Sequence, residues 1–242
     1  MAETARSPKR SASTRKPSTK AAPAADRIRA NKHQAPARPD AVLQRRGAER
    51  VQAILDAAET LLAEEGYEAA TLKAIGERAG IPIASVYHYF SDRHQVDTEI
   101  IGRHIAELDQ QLSKSLDGDV RLDSVQDVVD AVIDPMLTYF RTHPSCVQLW
   151  FSGRSDAVAE LVQSFDESTA ERMLQLGVQR ELLRQDTPPL VIQLAFEVGN
   201  RLFDVAFRRT PNTGDDATIA EARRLLGLYL QSYAPESERP EN

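Results

Sequence analysis

Apolar side chains recur at three- and four-residue spacing from Val51 almost to the end of the chain. Val51, Ile54, Leu55, Ala58 and Leu62 form the first such stripe, and Gly66 stops it. Leu72 to Ala79 reads as a short helix capped by Thr71 and broken by Gly80. Pro82 then starts another through Tyr89. Ser91 or Asp92 can cap a fourth helix, whose apolar positions Val96, Ile100, Ile101, Ile105, Leu108 and Leu112 run to about Leu116. Beyond it the period predicts helices at about 122–142, 144–152, 156–184, 189–209 and 216–233, with Pro135 kinking or breaking the first. Asp117-Gly118-Asp119, Thr187-Pro188-Pro189 and Pro211 to Asp215 separate them. Neither an alternating strand pattern nor an internal repeat is visible. The expected fold is all-α: a three-helix head and a larger helical C-terminal domain.

Residues 1–40 have a different texture. They hold five prolines, and apart from Met1 only Ile28 is an apolar side chain larger than alanine. Such a segment buries too little surface to offset its ordering entropy and is expected to be disordered. The expected organisation is a disordered basic tail at 1–44, a head at 45–96, a helical body at 97–235 and a C-terminal tail at 236–242.

Charge sharpens this division. The chain carries −6 overall, with a pI near 5.5. Yet residues 1–46 hold twelve Lys/Arg against three Asp/Glu, a local +9 that leaves −15 for the remainder. A basic end on an acidic body suggests a polyanionic partner at that end. Cys146 is the only cysteine, which excludes an intrachain disulfide and a cysteine-built zinc site. With no apolar signal segment or membrane span, a soluble, cytoplasmic protein without membrane contact is expected. His33, His88, His94, His104 and His143 show no metal-ligand spacing, and no nucleophile motif or phosphate-cradling loop occurs. Neither enzymatic activity, a cofactor nor a metal is expected.

The informative stretch is Thr71–Arg93, TLKAIGERAGIPIASVYHYFSDR. A helix-turn-helix needs a small residue where its helices cross, a turn glycine, and apolar side chains locking the second helix to the first. Gly76 and Gly80 fill the first two roles; Ile75, Ala79, Ile81 and Val86 fill the third, with Phe90 one turn on. In this register Thr71, Ile75, Ala79-Gly80-Ile81, Ser85-Val86-Tyr87 and Tyr89-Phe90, preceded by Glu65-Gly66-Tyr67, closely resemble the head of the tetracycline-repressor-like (TetR) family over about residues 47–96. The resemblance implies a DNA-binding head, a ligand-binding helical body, and a homodimer that reads a near-palindromic operator, usually as a repressor released by a small molecule. Gly76 stands where the family commonly has alanine, and Arg93 where it usually has lysine.

Helical geometry divides 82–89 into faces. Val86 and Phe90 share the inward side; Ala84, Tyr87 and His88, with Ile83 at the edge, share the side expected to enter the major groove. Ser85 and Tyr89 flank it and suit phosphate hydrogen bonds. By resemblance Thr71, Lys73 and Arg93 join them on the backbone. The groove face has no Arg, Lys, Asn or Gln, so bidentate base contacts are excluded from it. Sequence choice is therefore expected to lean partly on DNA shape and on a minor-groove arm containing Arg45 and Arg46.

The body is rich in aromatic and sulfur side chains. Candidate ligand-lining residues are Met136, Phe140, Trp150, Phe151, Phe165, Met173, Phe196 and Phe203, around a mostly apolar pocket. A polar stripe of Gln193, Glu197, Asn200, Arg201, Asp204 and Arg208 crosses 189–209 and suits an ion-pair ladder or a dimer seam better than a pocket wall. Ile219, Ala222, Leu226, Tyr229 and Tyr233 share a face of the last helix. With 189–209 that helix is expected to form a four-helix homodimer interface, as the family usually does. The expected partners are a double-stranded operator, a second copy and a small-molecule effector. The alternatives are a ligand-independent architectural DNA-binding protein and a helical adaptor; a short palindromic footprint, broad protection or none separates the three.

Overall fold

The computed structural model describes residues 39–117, 119–151 and 155–236, with side chains from residue 44. The tail expected to be disordered lies, through residue 38, outside the described residues, as does the C-terminal tail beyond residue 236. The helices are α1 (Pro39–Glu65), α2 (Leu72–Ala79), α3 (Ile83–Tyr89), α4 (Arg93–Ser115), α5 (Val125–Thr142), α6 (Pro144–Trp150), α7 (Asp156–Gln179), α8 (Pro189–Arg209) and α9 (Asp216–Gln231). Among the described residues there is no strand. The all-α expectation therefore holds.

Local chemistry sets most of the helix ends. Thr71 Oγ1 accepts from Ala74 N–H, and Asp92 carboxylate from Gln95 N–H, each satisfying an orphan donor of a first turn. Ser124 and Asp127 form a reciprocal capping box at α5. Gly80 closes α2 at φ +65°, where a side chain would be strained.

Three features depart most from the sequence pattern. Helix α1 reaches back to Pro39, six residues before the expected head boundary, although residues 44–50 bury no side chain. Pro135 neither breaks nor splits α5. Proline leaves the carbonyl four residues earlier without its helical donor, and here the Ser115 hydroxyl donates to that Ala131 carbonyl at 2.7 Å. Helix α7 ends at Gln179 rather than 184, because Glu181 adopts φ +58° and the Leu182 and Leu183 N–H groups both return to Gly177 C=O. That reversal folds Leu182 and Leu183 onto the core. Leu183 Cδ1 lies 2.7 Å from where a Cβ on Gly177 would stand, so the position admits no side chain without rearrangement.

Helices α1 to α3 enclose Ile54, Leu55, Leu62, Ile75, Val86 and Phe90. The long α4 packs back on α1 and forward on α5, α6 and α7, while α8 packs against α7 and α9, and α9 against α5. Arg172 joins α7 to Asp109 of α4 at 2.7 Å, and Arg223 of α9 binds Asp130 and Asp134 of α5. Among the described residues no helix is long and apolar enough to cross a membrane.

Candidate nucleic-acid interface and ligand cavity

The α2–α3 turn holds the second helix close to the first. Ile81 N–H donates to Gly76 C=O at 2.9 Å. A Cβ on Gly76 would lie 2.9 Å from Ile81 O and 3.1 Å from Val86 Cγ2, so glycine permits the approach. With Val86 and Phe90 buried, α3 presents Ile83 and Tyr87, 40% and 56% exposed, beside exposed Ala84 and His88. Ser85 and Tyr89 are half-buried on the flanks. The exposure follows the faces that helical geometry predicts.

The expected phosphate and arm residues divide. Thr71 and Lys73 are exposed, Lys73 with only a 3.8 Å surface pairing to Glu77. Arg45 and Arg46 are exposed too, but they stand inside α1, not on an arm preceding it; Arg45 faces Glu49 at 3.4 Å. Arg93, expected at a phosphate, is held within the chain. Its Nε donates to Asp97 Oδ1 at 2.7 Å, Nη1 to Tyr67 C=O at 3.3 Å, and its guanidinium lies 4.4 Å from the Tyr67 ring centroid. Asp97 is 1% exposed and also accepts from Tyr67 OH at 2.9 Å. Two of the guanidinium nitrogens thus lock α4 onto the turn after α1, with Asp97 one helical turn below, while buried Nη2 has no hydrogen-bond partner. The spacing Arg93-Asp97 (i, i+4) carried that signal.

Where α1, α4, α5 and α6 meet, a buried polar chain occupies the junction between head and body. Tyr139 OH donates to Glu107 at 3.0 Å, so its oxygen accepts from His104 Nδ1 at 2.8 Å. His104 Nε2 then accepts from Ser145 OH at 3.2 Å, which describes a neutral imidazole. Burial, reinforced by the His143 charge, pushes the His104 pKa down to about 4. Glu59 of α1 approaches the ring at 3.8 Å, and burial raises its carboxyl. Cys146 beside it is buried, with its thiol pushed up by desolvation.

In the body, α5, α7, α8 and α9 enclose an apolar cavity of about 50 Å³. Of the expected lining residues, Met136, Met173, Phe196 and Phe203 are there. Phe140, Trp150, Phe151 and Phe165 are not; they stack edge-to-face in a packed aromatic cluster, with Phe140 5.4 Å from Trp150 and 5.5 Å from Phe151. Val129, Val132 and Ile133 of α5 and Leu226 of α9 complete much of the wall. Asn200 is the polar member. Its amide accepts from Trp150 indole N–H at 3.4 Å and donates to Asp166 at 2.6 Å. Desolvation pushes the Asp166 pKa up to about 7.

Comparison with known proteins decides what this arrangement belongs to. Residues 54–96 match the family model for bacterial regulatory proteins of the tetR family, and residues 124–230 match the tetracyclin repressor-like C-terminal domain. A TetR-family transcriptional regulator of Streptomyces coelicolor is 31% identical over 76% of this chain and 99% of its own, with a TM-score of 0.56. The chain belongs to the TetR family. Among curated relatives, the repressor KstR2 of Rhodococcus jostii is 26% identical over 75% of this chain and 89% of its own. The repressor KstR of Mycobacterium tuberculosis is 30% identical over 67 residues, 28% of this chain; that match spans under a third (30%) of the KstR sequence.

As a TetR-family, DNA-binding transcriptional regulator, the chain keeps some of its chemistry off the sequence patterns. The polar stripe of α8 splits: Asp204 pairs with Arg201 and Arg208, as a ladder would, whereas Asn200 forms pocket wall. Val129-Val132-Ile133-Met136 and Phe196-Gly199-Asn200-Phe203 share i, i+3, i+4, i+7 spacing, and that common stripe was the available signal for the cavity. The face of α9 expected at a dimer seam is turned inward: Ile219, Ala222 and Leu226 are buried within the chain, and Tyr229 and Tyr233 are half-buried. Exposed apolar surface lies instead at Leu225 and Leu228 of α9 and at Leu190, Leu194 and Val198 of α8.

Proposed function

We propose that the chain is a homodimeric repressor that occupies a near-palindromic operator and leaves it when a small, largely apolar ligand enters the body. The observation carrying this reading is α4, one continuous helix whose first turn is clamped to the head through Arg93–Asp97 and whose later turns pack on the cavity-bearing helices. A ligand that spreads α5 or α7 favours a second tilt of α4, and so a head spacing that fits DNA poorly. This requires different ligand affinities for the two states. The 50 Å³ cavity lies far below the ~300 Å³ at which small-molecule pockets begin, as suits a closed, ligand-free state.

In this reading residues 45–96 are the DNA-binding domain and 97–235 the sensing and dimerisation domain, without catalytic chemistry and acting in the cytoplasm. Ile83, Ala84, Tyr87 and His88 meet base edges and thymine methyls; Ser85, Tyr89, Thr71 and Lys73 meet phosphates. Arg45 and Arg46, together with the basic tail, add sequence-independent affinity. Val198 of α8 with Leu225 and Leu228 of α9 forms a self-complementary patch for a two-fold dimer.

The test is selection of sites from a random DNA pool, followed by footprinting and sedimentation. A short protected palindrome bound by two chains is expected. Broad protection by a monomer overturns the proposal. Deleting residues 1–38 should weaken binding and flatten its salt dependence, and an unchanged slope removes the tail from the interface.

A further inference from the structure

A second concavity lies beside the apolar cavity. Between α7 and α8 runs a groove of about 290 Å³, with Leu190, Leu194 and Phe196 on its apolar side and Asp166, Glu167 and Glu197 on its polar side. Among the described residues that line it, none is basic. Phe196 lines both the groove and the inner cavity. Asn200 faces the cavity and Asp166 the groove, so their 2.6 Å hydrogen bond and the Phe196 ring form the partition between the two. The partition is unfinished in one respect. Asp166 Oδ1 is shut off from solvent and has no hydrogen-bond partner, although its other oxygen is held by Asn200. A buried carboxylate oxygen left without a donor costs about 1–3 kcal/mol, more when charged, and such a group calls for an explanation.

We propose that groove and cavity are two parts of one effector site, opened when Phe196 and Asn200 swing apart, and that it takes an apolar molecule bearing a protonated amine, with the ammonium on Asp166. This rests on the ligand-responsive reading above and names the ligand class. The ammonium supplies the donor that Asp166 Oδ1 lacks, and Glu197 and Glu167 add attraction from the same side. The apolar portion displaces the contacts now closing Met136, Met173 and Phe203 around the cavity. Together the two volumes reach the lower part of the ~300–1,000 Å³ range of small-molecule sites. An anionic head group, such as a fatty carboxylate, would face three carboxylates with no cation among the described lining residues.

Trp150 is the only tryptophan, and its indole N–H bonds Asn200, so its emission reports on the partition. The experiment titrates the full chain with octylamine, octanol and octanoate, which share a tail and differ in head charge. Octylamine is expected to shift the emission at a concentration about tenfold lower than octanol, and octanoate to be the weakest. In Asp166→Asn, which keeps the shape of the side chain, octylamine should fall to the level of octanol while octanol itself is unchanged. Octanoate binding as tightly as octylamine, or an amine preference surviving in Asp166→Asn, overturns the proposal. If the three probes bind alike, the body remains a sensor of apolar ligands and only the ammonium assignment fails. If none moves the Trp150 emission or the thermal midpoint, the sensing reading fails with it.

Discussion

The head and the body solve different problems with the same kind of helix. In the head, the side chains that meet the outside world sit on one seven-residue helix, and neighbours in sequence are neighbours in function. In the body, one small cavity draws on α5, α7, α8 and α9, with lining residues from Val129 to Leu230. The head holds its buried charge as an ion pair, Arg93 with Asp97, which Tyr67 also bonds, although Arg93 Nη2 has no hydrogen-bond partner. The body buries a carboxylate, Asp166, whose hydrogen-bond partner among the described residues is the neutral amide of Asn200, and its other oxygen is unmet. On the proposed function, a reading head needs one geometry, whereas a sensing body needs two of similar free energy.

The largest expected effect tests whether the head is the more tightly locked of the two. Asp97→Ala strands a buried guanidinium and should cost about 3–5 kcal/mol in urea unfolding. In the body, Asp130→Ala breaks a partly exposed pair with Arg223 and should cost about 1 kcal/mol or less. Equal losses would abolish the contrast.

Proton linkage should distinguish the head–body junction from the cavity wall by sign. His104 has a folded pKa of about 4 against an ordinary 6.5, so its cost is absent above pH 6.5 and grows as pH falls toward 4. Asp166, raised from 3.8 to about 7, behaves oppositely: its cost is absent below pH 3.8 and grows as pH rises to 7. At full extent the limbs are worth about 3 kcal/mol for His104 and about 4 kcal/mol for Asp166. Removing one should expose the other. Unfolding of Asp166→Asn between pH 4 and 6.5 should show stability rising more steeply with pH than in the parent, and His104→Gln the reverse. Parallel profiles for both variants would remove the assignment.

Smaller effects separate recognition from folding within the head. Tyr87→Ala should weaken operator binding about tenfold at fixed salt, about 1.4 kcal/mol, while changing stability by about 0.5 kcal/mol or less. A comparable loss in thermal stability would mean that Tyr87 supports the fold. Gly76→Ala sets two terms against each other. Alanine gains about 1 kcal/mol of helix propensity, but its methyl collides with the Ile81 carbonyl, and overpacking of this kind costs about 1–3 kcal/mol. A net loss of about 1 kcal/mol is expected in denaturant unfolding; a gain would show that the α2–α3 crossing yields easily.

The head was largely legible in the sequence because its determinants are local. Caps at Thr71 and Asp92, the turn at Gly80, and the faces of α3 follow from spacings of four residues or fewer. The pairing of Arg93, expected at a phosphate, was missed because its i, i+4 partner became decisive only when Asp97 was buried. The cavity was half legible. Met136, Met173, Phe196 and Phe203 were found by residue type, but residue type could not separate them from Phe140, Trp150, Phe151 and Phe165. Aromatics that fill a core and aromatics that border a void have the same periodicity.

What the sequence determined by itself was the helical architecture, the reading head and the basic N-terminal end, since periodicity, capping and charge act within a few residues. Tertiary structure alone decided which face of α9 turned inward, that Ser115 would relieve the carbonyl freed by Pro135, and that Asn200 and Asp166 would meet across α7 and α8. Those outcomes depend on contacts between residues 16 to 34 positions apart or more. Burial, which sets whether a polar group must be paired, is a property of the packed chain and not of any segment of it.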